Sequence, residues 1–317
     1  MTIHATRLQL RRSGSGLPDR LFRRLTRGAA IVLLVLVSLL GLQLVDSSLL
    51  TWQTFGWGFL TGTTWDPVAS IYGALPYILG TIFSAAIALL IATPIGLLTA
   101  ILLAEWAPRR VAIPLTFMIE LLAAIPSVVI GLWGVFVLSP FLRDTIETWA
   151  TGALGWIPIF RGPPYGIGLF AAGVILGIMI LPTIVTVSRE VITAVPNAQR
   201  EAMYALGATR WEVVARAVLP YARSGLVGAV ILGLGRALGE TMAVTMVIGN
   251  GEAVPTSLFD QAQTIASKIA TTFNEASVGL QTSSLIALGL VLLVITIALN
   301  ALARLLVWRV AGTVRGE

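Results

Sequence analysis

Six long apolar runs constrain the fold of this chain more than any other feature. Each run is at least about 20 residues long, the length of α-helix that crosses the hydrocarbon core of a bilayer. Of the 317 residues, 56% are hydrophobic and 11% are charged, a composition that excludes an ordinary soluble globular protein. Because backbone polar groups must pair internally within lipid, runs of this length predict helices. We therefore expect an all-α membrane protein with six transmembrane helices, at residues 28–50, 74–104, 111–142, 166–187, 225–249 and 283–307.

The third apolar run is overlong and contains Pro126 and Pro140. Proline removes a backbone donor from a helix interior, and its ring clashes with the preceding turn. We therefore expect this run to be bent or split. Ser127 follows the first proline, and its hydroxyl, together with backbone groups freed by the break, is a candidate lining of a pathway through the membrane.

The distribution of basic residues predicts the orientation of the helices. With the N-terminus inside the cell, seventeen of the 21 basic residues fall on inside segments, and Arg143, Arg161 and Lys268 fall outside. This is the positive-inside pattern, so we expect both termini to be cytoplasmic. Orientation also accounts for the net charge of +6, and no nucleic-acid partner is expected.

The same boundaries divide the chain into three parts. Residues 1–27 form a basic cytoplasmic tail, which we expect to lie on anionic membrane lipids. A transmembrane domain occupies 28–310, and a short cytoplasmic tail occupies 311–317. No further folded domain is predicted.

The residue inventory argues against an enzyme. The chain has no cysteine, and its one histidine, His4, lies in the Arg-rich tail. Neither a Cys-ligated metal site nor a nucleophile paired with a base is predicted, so we expect no catalytic residue, no cofactor and no metal. The chain also lacks the Gly-x-x-x-x-Gly-Lys-Ser/Thr loop of ATP-hydrolysing proteins.

The segment 200–220 is polar and lies between two apolar runs, on the predicted inside. Its sequence predicts two short helices that are joined at Gly207-Ala208-Thr209 and stopped by Pro220. A polar helix pair on this side of a membrane protein is suited to docking a soluble partner. The segment resembles the EAA loop of ABC-importer permeases, with matches at Glu201, Ala202, Gly207, Leu219 and Pro220. Met203 and Ala217 depart from that pattern.

Two charged residues, Arg236 and Glu240, lie inside the fifth apolar run. Arg236 is about 16 Å along a helix that begins at residue 225, near the middle of a bilayer. A charge there costs at least about 2.5 kcal/mol and should face a cavity or a partner. Being four residues apart, the two side chains are expected to share one helix face.

Two interpretations of this pair remain open. In the first, Arg236 and Glu240 neutralise each other and fix helix packing. In the second, they form an anion site, because the guanidinium fork matches a tetrahedral oxyanion. The carboxylate would accept a hydrogen bond from a protonated oxyanion such as hydrogen phosphate and repel a fully ionised one such as sulfate. Glu120, a second acid within an apolar run, is expected either to pair with Arg236 or to face a partner subunit.

With the segment 200–220 and the charged pair Arg236 and Glu240 taken together, the chain resembles the C-type subunit of the phosphate-specific ABC-importer permeases. The resemblance extends from about residue 54 to residue 306. It is carried by Tyr72-Gly73-Ala74 and by the strings ELLAAIPSVVIGLWG at 120–134, FAAGVILGIMILP at 170–182 and GLGRALGETMAVTMVIGN at 233–250.

The resemblance implies a type I permease architecture, with a docking loop at 196–222, in the inner membrane of a bacterium. It implies that the chain forms, with a second homologous permease subunit, a pathway that carries inorganic phosphate into the cell. Two ATPase subunits would dock below, and a periplasmic or lipid-anchored phosphate-binding protein would deliver phosphate from above. It also implies that Arg236 and Glu240 are pathway residues.

The alternatives are the companion A-type phosphate permease and the permease of a molybdate or sulfate importer. Permeases for molybdate or sulfate usually lack the charged pair within the membrane. A membrane-embedded enzyme and a stand-alone secondary transporter fit less well. The enzyme would need a reactive cluster, and the secondary transporter would be expected to show inverted repeats and would have no use for a docking loop.

Overall fold

A computed structural model describes residues 17–312, and the side chains of residues 20–305. Residues 1–16 and 313–317, which belong to the two predicted tails, lie outside this part of the chain. The molecule divides into two compact units between Ser47 and Ser48. In the first, the described residues belong to the N-terminal part of helix α1 (Leu17–Phe55).

The second unit contains the end of α1 and all other elements. In chain order they are α2 (Gly58–Thr61), strands β1 (Trp65–Asp66) and β2 (Ile71–Tyr72), α3 (Leu75–Ile101), α4 (Arg109–Ala124), α5 (Ser127–Trp133), α6 (Ser139–Phe141), α7 (Thr148–Leu154), α8 (Leu169–Thr193), α9 (Asn197–Ala205), α10 (Arg210–Val213), α11 (Leu219–Gly239), α12 (Met242–Val247), α13 (Ile265–Thr272) and α14 (Leu280–Gly312). The two strands form one short antiparallel hairpin.

Six helical stretches of the described chain are long and apolar enough to cross a membrane. They are Arg20–Phe55, Leu75–Trp106, Ser127–Leu154, Leu169–Thr193, Arg210–Gly239 and Leu280–Leu305. The predicted number of spans and the all-α class are therefore confirmed. Several of these stretches combine α-helix with π-helical turns, in which hydrogen bonds close over five residues instead of four.

The third predicted span is split at Pro126, as expected. Helix α4 ends at Ala124, and a second helical stretch begins at Ser127. The prediction was wrong about where that stretch ends, since it continues through Pro140 to Leu154. A π-helical turn at Gly134–Leu138 directly precedes the short helix that contains Pro140, and the wider turn accommodates the proline ring.

The charged residues at the predicted end of this span do not end the helix. Arg143 and Asp144 form an ion pair with 2.8 Å between Nε and Oδ1. Their charges therefore offset each other on the exposed helix surface. The chain beyond residue 142, where the predicted span ends, therefore stays helical as far as Leu154.

The segment after the joint Gly207-Ala208-Thr209 also differs from the prediction, because Pro220 does not stop a helix. One helical stretch runs from Arg210 to Gly239. The π-helical turn Val214–Val218 places the Leu219 N–H against the Val214 carbonyl, five residues back. Pro220 then falls in the first turn of α11, where the missing N–H costs little.

Helices α3 and α8 form the centre of the packed core, and glycines bring their backbones close together. A Cβ on Gly173 would lie 2.4 Å from Ile87 Cγ2, and one on Gly96 would lie 2.8 Å from Ile184 Cγ2. Small residues at helix crossings are the usual route to tight packing within a membrane. The pair α3–α8 therefore forms a closely packed frame, on which α11 also packs.

Helix α13 holds the single lysine of the chain. Lys268 is buried, with Nζ 2.6 Å from the Glu252 carboxylate. The ammonium also lies 5.0 Å from the ring centre of Trp65 and 5.3 Å from that of Tyr77. No local sequence pattern indicates a structural role for this lysine, because its partners lie on three separate segments.

Candidate functional site

Arg236 lies in the last turn of α11 and is exposed in the isolated chain. Its Nη1 donates a hydrogen bond of 3.4 Å to the Thr183 hydroxyl on α8. Among the described residues no carboxylate lies within ion-pair distance of this guanidinium. The positive charge of Arg236 therefore stays available to a ligand.

Glu240 does not share a helix face with Arg236, which corrects the sequence-based expectation. Helix α11 ends at Gly239, and Glu240 has extended backbone angles (φ −71°, ψ 126°). Its Oε1 accepts a hydrogen bond of 3.3 Å from the backbone N–H of Ala243, at the start of α12. A carboxylate at a helix N-terminus satisfies a free donor and interacts favourably with the helix dipole. The described residues thus contain no ion pair in which Arg236 and Glu240 neutralise each other.

The break at Glu240 lies beside the break at Pro126. Helices α5 and α12 pack against each other, and a Cβ on Gly131 would lie 2.9 Å from the Ala243 Cα. A Cβ on Gly134 would lie 2.9 Å from Val247 Cγ1, so the two helices run in the same direction. Counted back from these contacts, the register brings Ser127, the first residue of α5, level with Gly239 and Glu240, just before α12 begins.

Ser127, the predicted pathway residue, is the first residue of α5 and is partly exposed. The first N–H groups of a helix have no partner within the helix. The N-terminus of α12 is already capped by the Glu240 carboxylate, so α5 supplies the free donors, and a helix N-terminus favours negative charge. With Arg236 close to the end of the preceding helix, the arrangement is suited to holding an anion.

Glu120 lies in α4, one turn before this helix ends, and its side chain is exposed. No ion pair joins it to Arg236 in the part of the chain that the structure describes. The first of the two expectations for Glu120 is therefore wrong. The second, that it faces a partner subunit, stays a prediction.

The docking segment begins with α9, which carries Glu201 and Ala202 on its exposed surface. Gly207 follows in a turn with φ +82°, a conformation that L side chains rarely adopt. Among the described residues no atom outside its own neighbourhood lies within 4 Å of the position that a Cβ would occupy. The preference for glycine at this turn therefore arises from the backbone angle and not from crowding.

The remaining predicted docking residues have different surroundings. Leu219 packs against the apolar cluster that joins the C-terminal ends of α3 and α8, whereas Pro220 is exposed. Thr209 caps α10 by accepting a hydrogen bond from Glu212 N, and the Glu212 carboxylate accepts one from Thr209 N. The predicted pair of helices joined at Gly207–Thr209 is thus confirmed.

Two residues of these sites were missed by the sequence analysis. Thr183 contacts Arg236 from a distance of 53 residues, and no local pattern links them. Arg200, directly before Glu201, forms an ion pair with Glu105, and Nη2 lies 2.7 Å from Oε1. The only sequence signal for Arg200 is its position next to the docking motif.

Comparison with known proteins identifies the family. The model of the binding-protein-dependent transport system inner membrane component matches residues 92–312. The phosphate transport system permease protein PstC of Mesorhizobium japonicum is 48% identical over 93% of this chain and 91% of its own. PstC of Pasteurella multocida is 45% identical over 96% of both chains. PstC 2 of Mycobacterium tuberculosis is 40% identical over 90% of both.

Two solved structures share the fold at low sequence identity. A chain of the MetNI methionine ABC transporter aligns with a TM-score of 0.54 and 18% identity, over 78% of this chain and 99% of that chain. A chain of a bacterial ABC transporter involved in alginate import aligns with a TM-score of 0.58 and 16% identity, over 92% and 99%. These likenesses establish the ABC-importer permease fold.

The family match and the six membrane-competent helices place the chain in a bacterial inner membrane. It is a transport component, and transport systems of this kind also include an ATPase and a binding protein. The chain therefore belongs to the binding-protein-dependent transport system inner membrane components and, within them, to the phosphate transport system permeases of the PstC type.

Proposed function

We propose that this chain is the membrane permease subunit of an ATP-driven importer of inorganic phosphate. Its relatives named as phosphate transport permeases are 40–48% identical over at least nine-tenths of the chain. The structural neighbours named for methionine and alginate support the fold alone, because their identities are below 20%. The substrate is therefore inferred from the PstC relatives and from the chemistry of the site.

The observation that carries this proposal is Arg236, which has no acidic partner among the described residues and lies just before the helix break at Glu240. The guanidinium of Arg236 can donate two parallel hydrogen bonds to the oxygens of a phosphate ion. Thr183 holds one of its nitrogens at 3.4 Å and so orients the fork. Ser127 and the free N–H groups of α5 add donors for the remaining oxygens.

Glu240 is proposed to select between anions at the same place. Its carboxylate caps α12 and accepts hydrogen bonds only. Hydrogen phosphate can donate its proton to such an acceptor, whereas sulfate has no proton to donate at neutral pH. Sulfate is therefore repelled, and a partly protonated phosphate is retained.

The proposed assembly contains a second homologous permease subunit, two ATPase subunits and a periplasmic or lipid-anchored phosphate-binding protein. The exposed segment around Glu201, Ala202 and Gly207 would dock one ATPase. Glu120, exposed on α4, would face the second permease subunit. ATP hydrolysis would reside on the ATPase subunits.

The test is uptake of labelled phosphate by the complete set of subunits, expressed in cells that lack their own high-affinity phosphate importer. We expect uptake that requires all the subunits and that unlabelled phosphate competes away. A hundredfold excess of sulfate or molybdate should leave it unchanged. Strong competition by either of those anions would instead identify an importer of another oxyanion.

A further inference from the structure

We infer that Arg200 is a positioning residue that couples the docking segment to the core helices α3 and α8, the second of which carries the Arg236 partner Thr183. This inference rests on the proposed function, because it concerns how an ATPase bound at the docking segment moves the pathway. It depends on a group of contacts that lies apart from the exposed docking residues.

The guanidinium of Arg200 uses donors on all three of its nitrogens. Towards Glu105, Nη2 donates to Oε1 at 2.7 Å and Nε donates at 3.2 Å. Nη2 also donates to the Ile192 carbonyl at 2.9 Å. Nη1 donates to the Val195 carbonyl and, at 3.4 Å, to the Asn197 side chain. An arginine has five N–H donors in a planar fork, and this set of acceptors can occupy all of them.

The contacts of Arg200 join three different elements. Glu105 is in the π-helical turn Leu102–Trp106 that ends the α3 stretch. The Ile192 carbonyl is in the last turn of α8, and the Val195 carbonyl follows that helix. Arg200 itself is in α9, the first docking helix. One side chain therefore joins the docking helix to the inside ends of both core helices.

The ion pair is shielded from water. The side chains of Arg200 and Glu105 are 16% and 11% exposed, whereas in the neighbouring pair Arg216–Glu212 they are 73% and 38% exposed. An exposed pair contributes little, because solvent screens it. Removing one partner of a buried pair leaves an uncompensated charge. The geometry of the Arg200–Glu105 pair is therefore strongly maintained.

From Arg200, a continuous path leads to the substrate site. Ile192 and Thr183 lie on the same helix, nine residues or about 13.5 Å apart. Thr183 holds the guanidinium of Arg236. The glycine contacts pack α3 closely against α8, so we expect the two helices to move together. A displacement of α9 by the ATPase therefore reaches Arg236 through α8, provided that Arg200 keeps α9 attached.

The test compares Arg200→Met and Arg200→Lys with the parent in the complete complex, reconstituted in liposomes. Phosphate uptake and ATP hydrolysis are measured together, with subunit co-purification and thermal denaturation as controls for assembly. For Arg200→Met we expect uptake per ATP hydrolysed to fall about tenfold in an assembled complex. Arg200→Lys keeps the charge but cannot reach all the acceptors, so its loss should be intermediate.

A matched control is Arg143→Met, which breaks an exposed arginine–aspartate pair distant from the docking segment in sequence. It should transport like the parent. Because the chain has no cysteine, a rescue experiment is also available. The double variant Glu105→Cys/Arg200→Cys should be uncoupled, and a short bifunctional thiol reagent should restore uptake by joining α9 to α3. A monofunctional reagent should not.

The inference is overturned if Arg200→Met keeps the parental ratio of uptake to hydrolysis. It is also overturned if the crosslinked double variant stays uncoupled, or if both Arg200 variants fail to assemble, because Arg200 would then serve folding alone. A parent complex that hydrolyses ATP without taking up phosphate would instead contradict the proposed function. The two failures are therefore distinguishable.

Discussion

At the scale of single residues, the absence of an acidic partner for Arg236 among the described residues has the strongest consequences for transport. The sequence placed Arg236 and Glu240 four residues apart and so left a mutual ion pair open. The structure separates them by ending α11 at Gly239 and using Glu240 to cap α12. Arg236 then has a neutral hydroxyl as its neighbour, and its charge can serve a passing anion.

Replacing Arg236 by lysine is expected to impair transport, because lysine keeps the charge but loses the planar fork. The loss of one charge-assisted hydrogen bond costs about 1.5–3 kcal/mol, or about 10- to 100-fold in affinity. The measurement is the phosphate concentration that gives half-maximal uptake, at equal protein abundance in the membrane. Arg236→Gln should lose uptake more severely.

The matched variant Glu240→Gln tests selectivity at the same site. The amide can still cap α12 through its oxygen, so the fold should persist. Without the negative charge, sulfate should begin to compete with phosphate uptake. If Arg236→Lys, Arg236→Gln and Glu240→Gln all behave like the parent, these residues serve packing and not transport.

Gly207 is expected to tolerate asparagine but not valine. Its φ of +82° costs an ordinary L residue about 1–2 kcal/mol, whereas asparagine visits this region readily. Open space around the site means that side-chain size alone is harmless. We expect Gly207→Val to weaken co-purification of the ATPase about tenfold and Gly207→Asn to leave it nearly unchanged. Equal loss in both variants would point to a direct contact at this position instead.

At the scale of helices, the close approach of α3 and α8 determines the rigidity of the frame. Gly173→Ala introduces a Cβ at 2.4–2.5 Å from Ile87, on a branched side chain with little freedom. We expect this variant to lose about 1–3 kcal/mol of stability by overpacking. The measurement is the thermal denaturation midpoint of the purified protein in detergent.

Gly228→Ala is the control for that experiment. It lies within α11, and a Cβ there would meet no described atom within 4 Å. Since alanine is a better helix former than glycine by up to about 1 kcal/mol, this variant should be neutral or slightly stabilising. Similar destabilisation in both variants would show that glycine packing is not the cause.

At the scale of the whole molecule, the order of helices and turns predicts which loops face each side. Reporter fusions at Val68, Trp156 and Asp260 should be active outside the cell, and fusions at Ala107 and Thr209 should be active inside. Between neighbouring fusion sites the structure has one membrane-competent helix each time. A reporter on the wrong side would contradict the positive-inside assignment and the cytoplasmic placement of the docking segment.

The sequence by itself determined the number of spans, the all-α class, the docking turn and the family. Each of these properties depends on local composition or on fixed spacing, such as the length of an apolar run or the glycine at position 207. Such signals can be read without knowing which distant residues are in contact. The split at Pro126 was also predictable, because proline acts on its own turn.

Only the tertiary structure decided where helices continue through proline and which charges pair. Pro140 and Pro220 are tolerated because π-helical turns precede them, and such turns have no sequence signature. Arg200 with Glu105, and Arg236 with Thr183, meet across 95 and 53 residues. Those contacts follow from how glycine-lined helices pack in three dimensions, and the energy of packing, not local propensity, selects them.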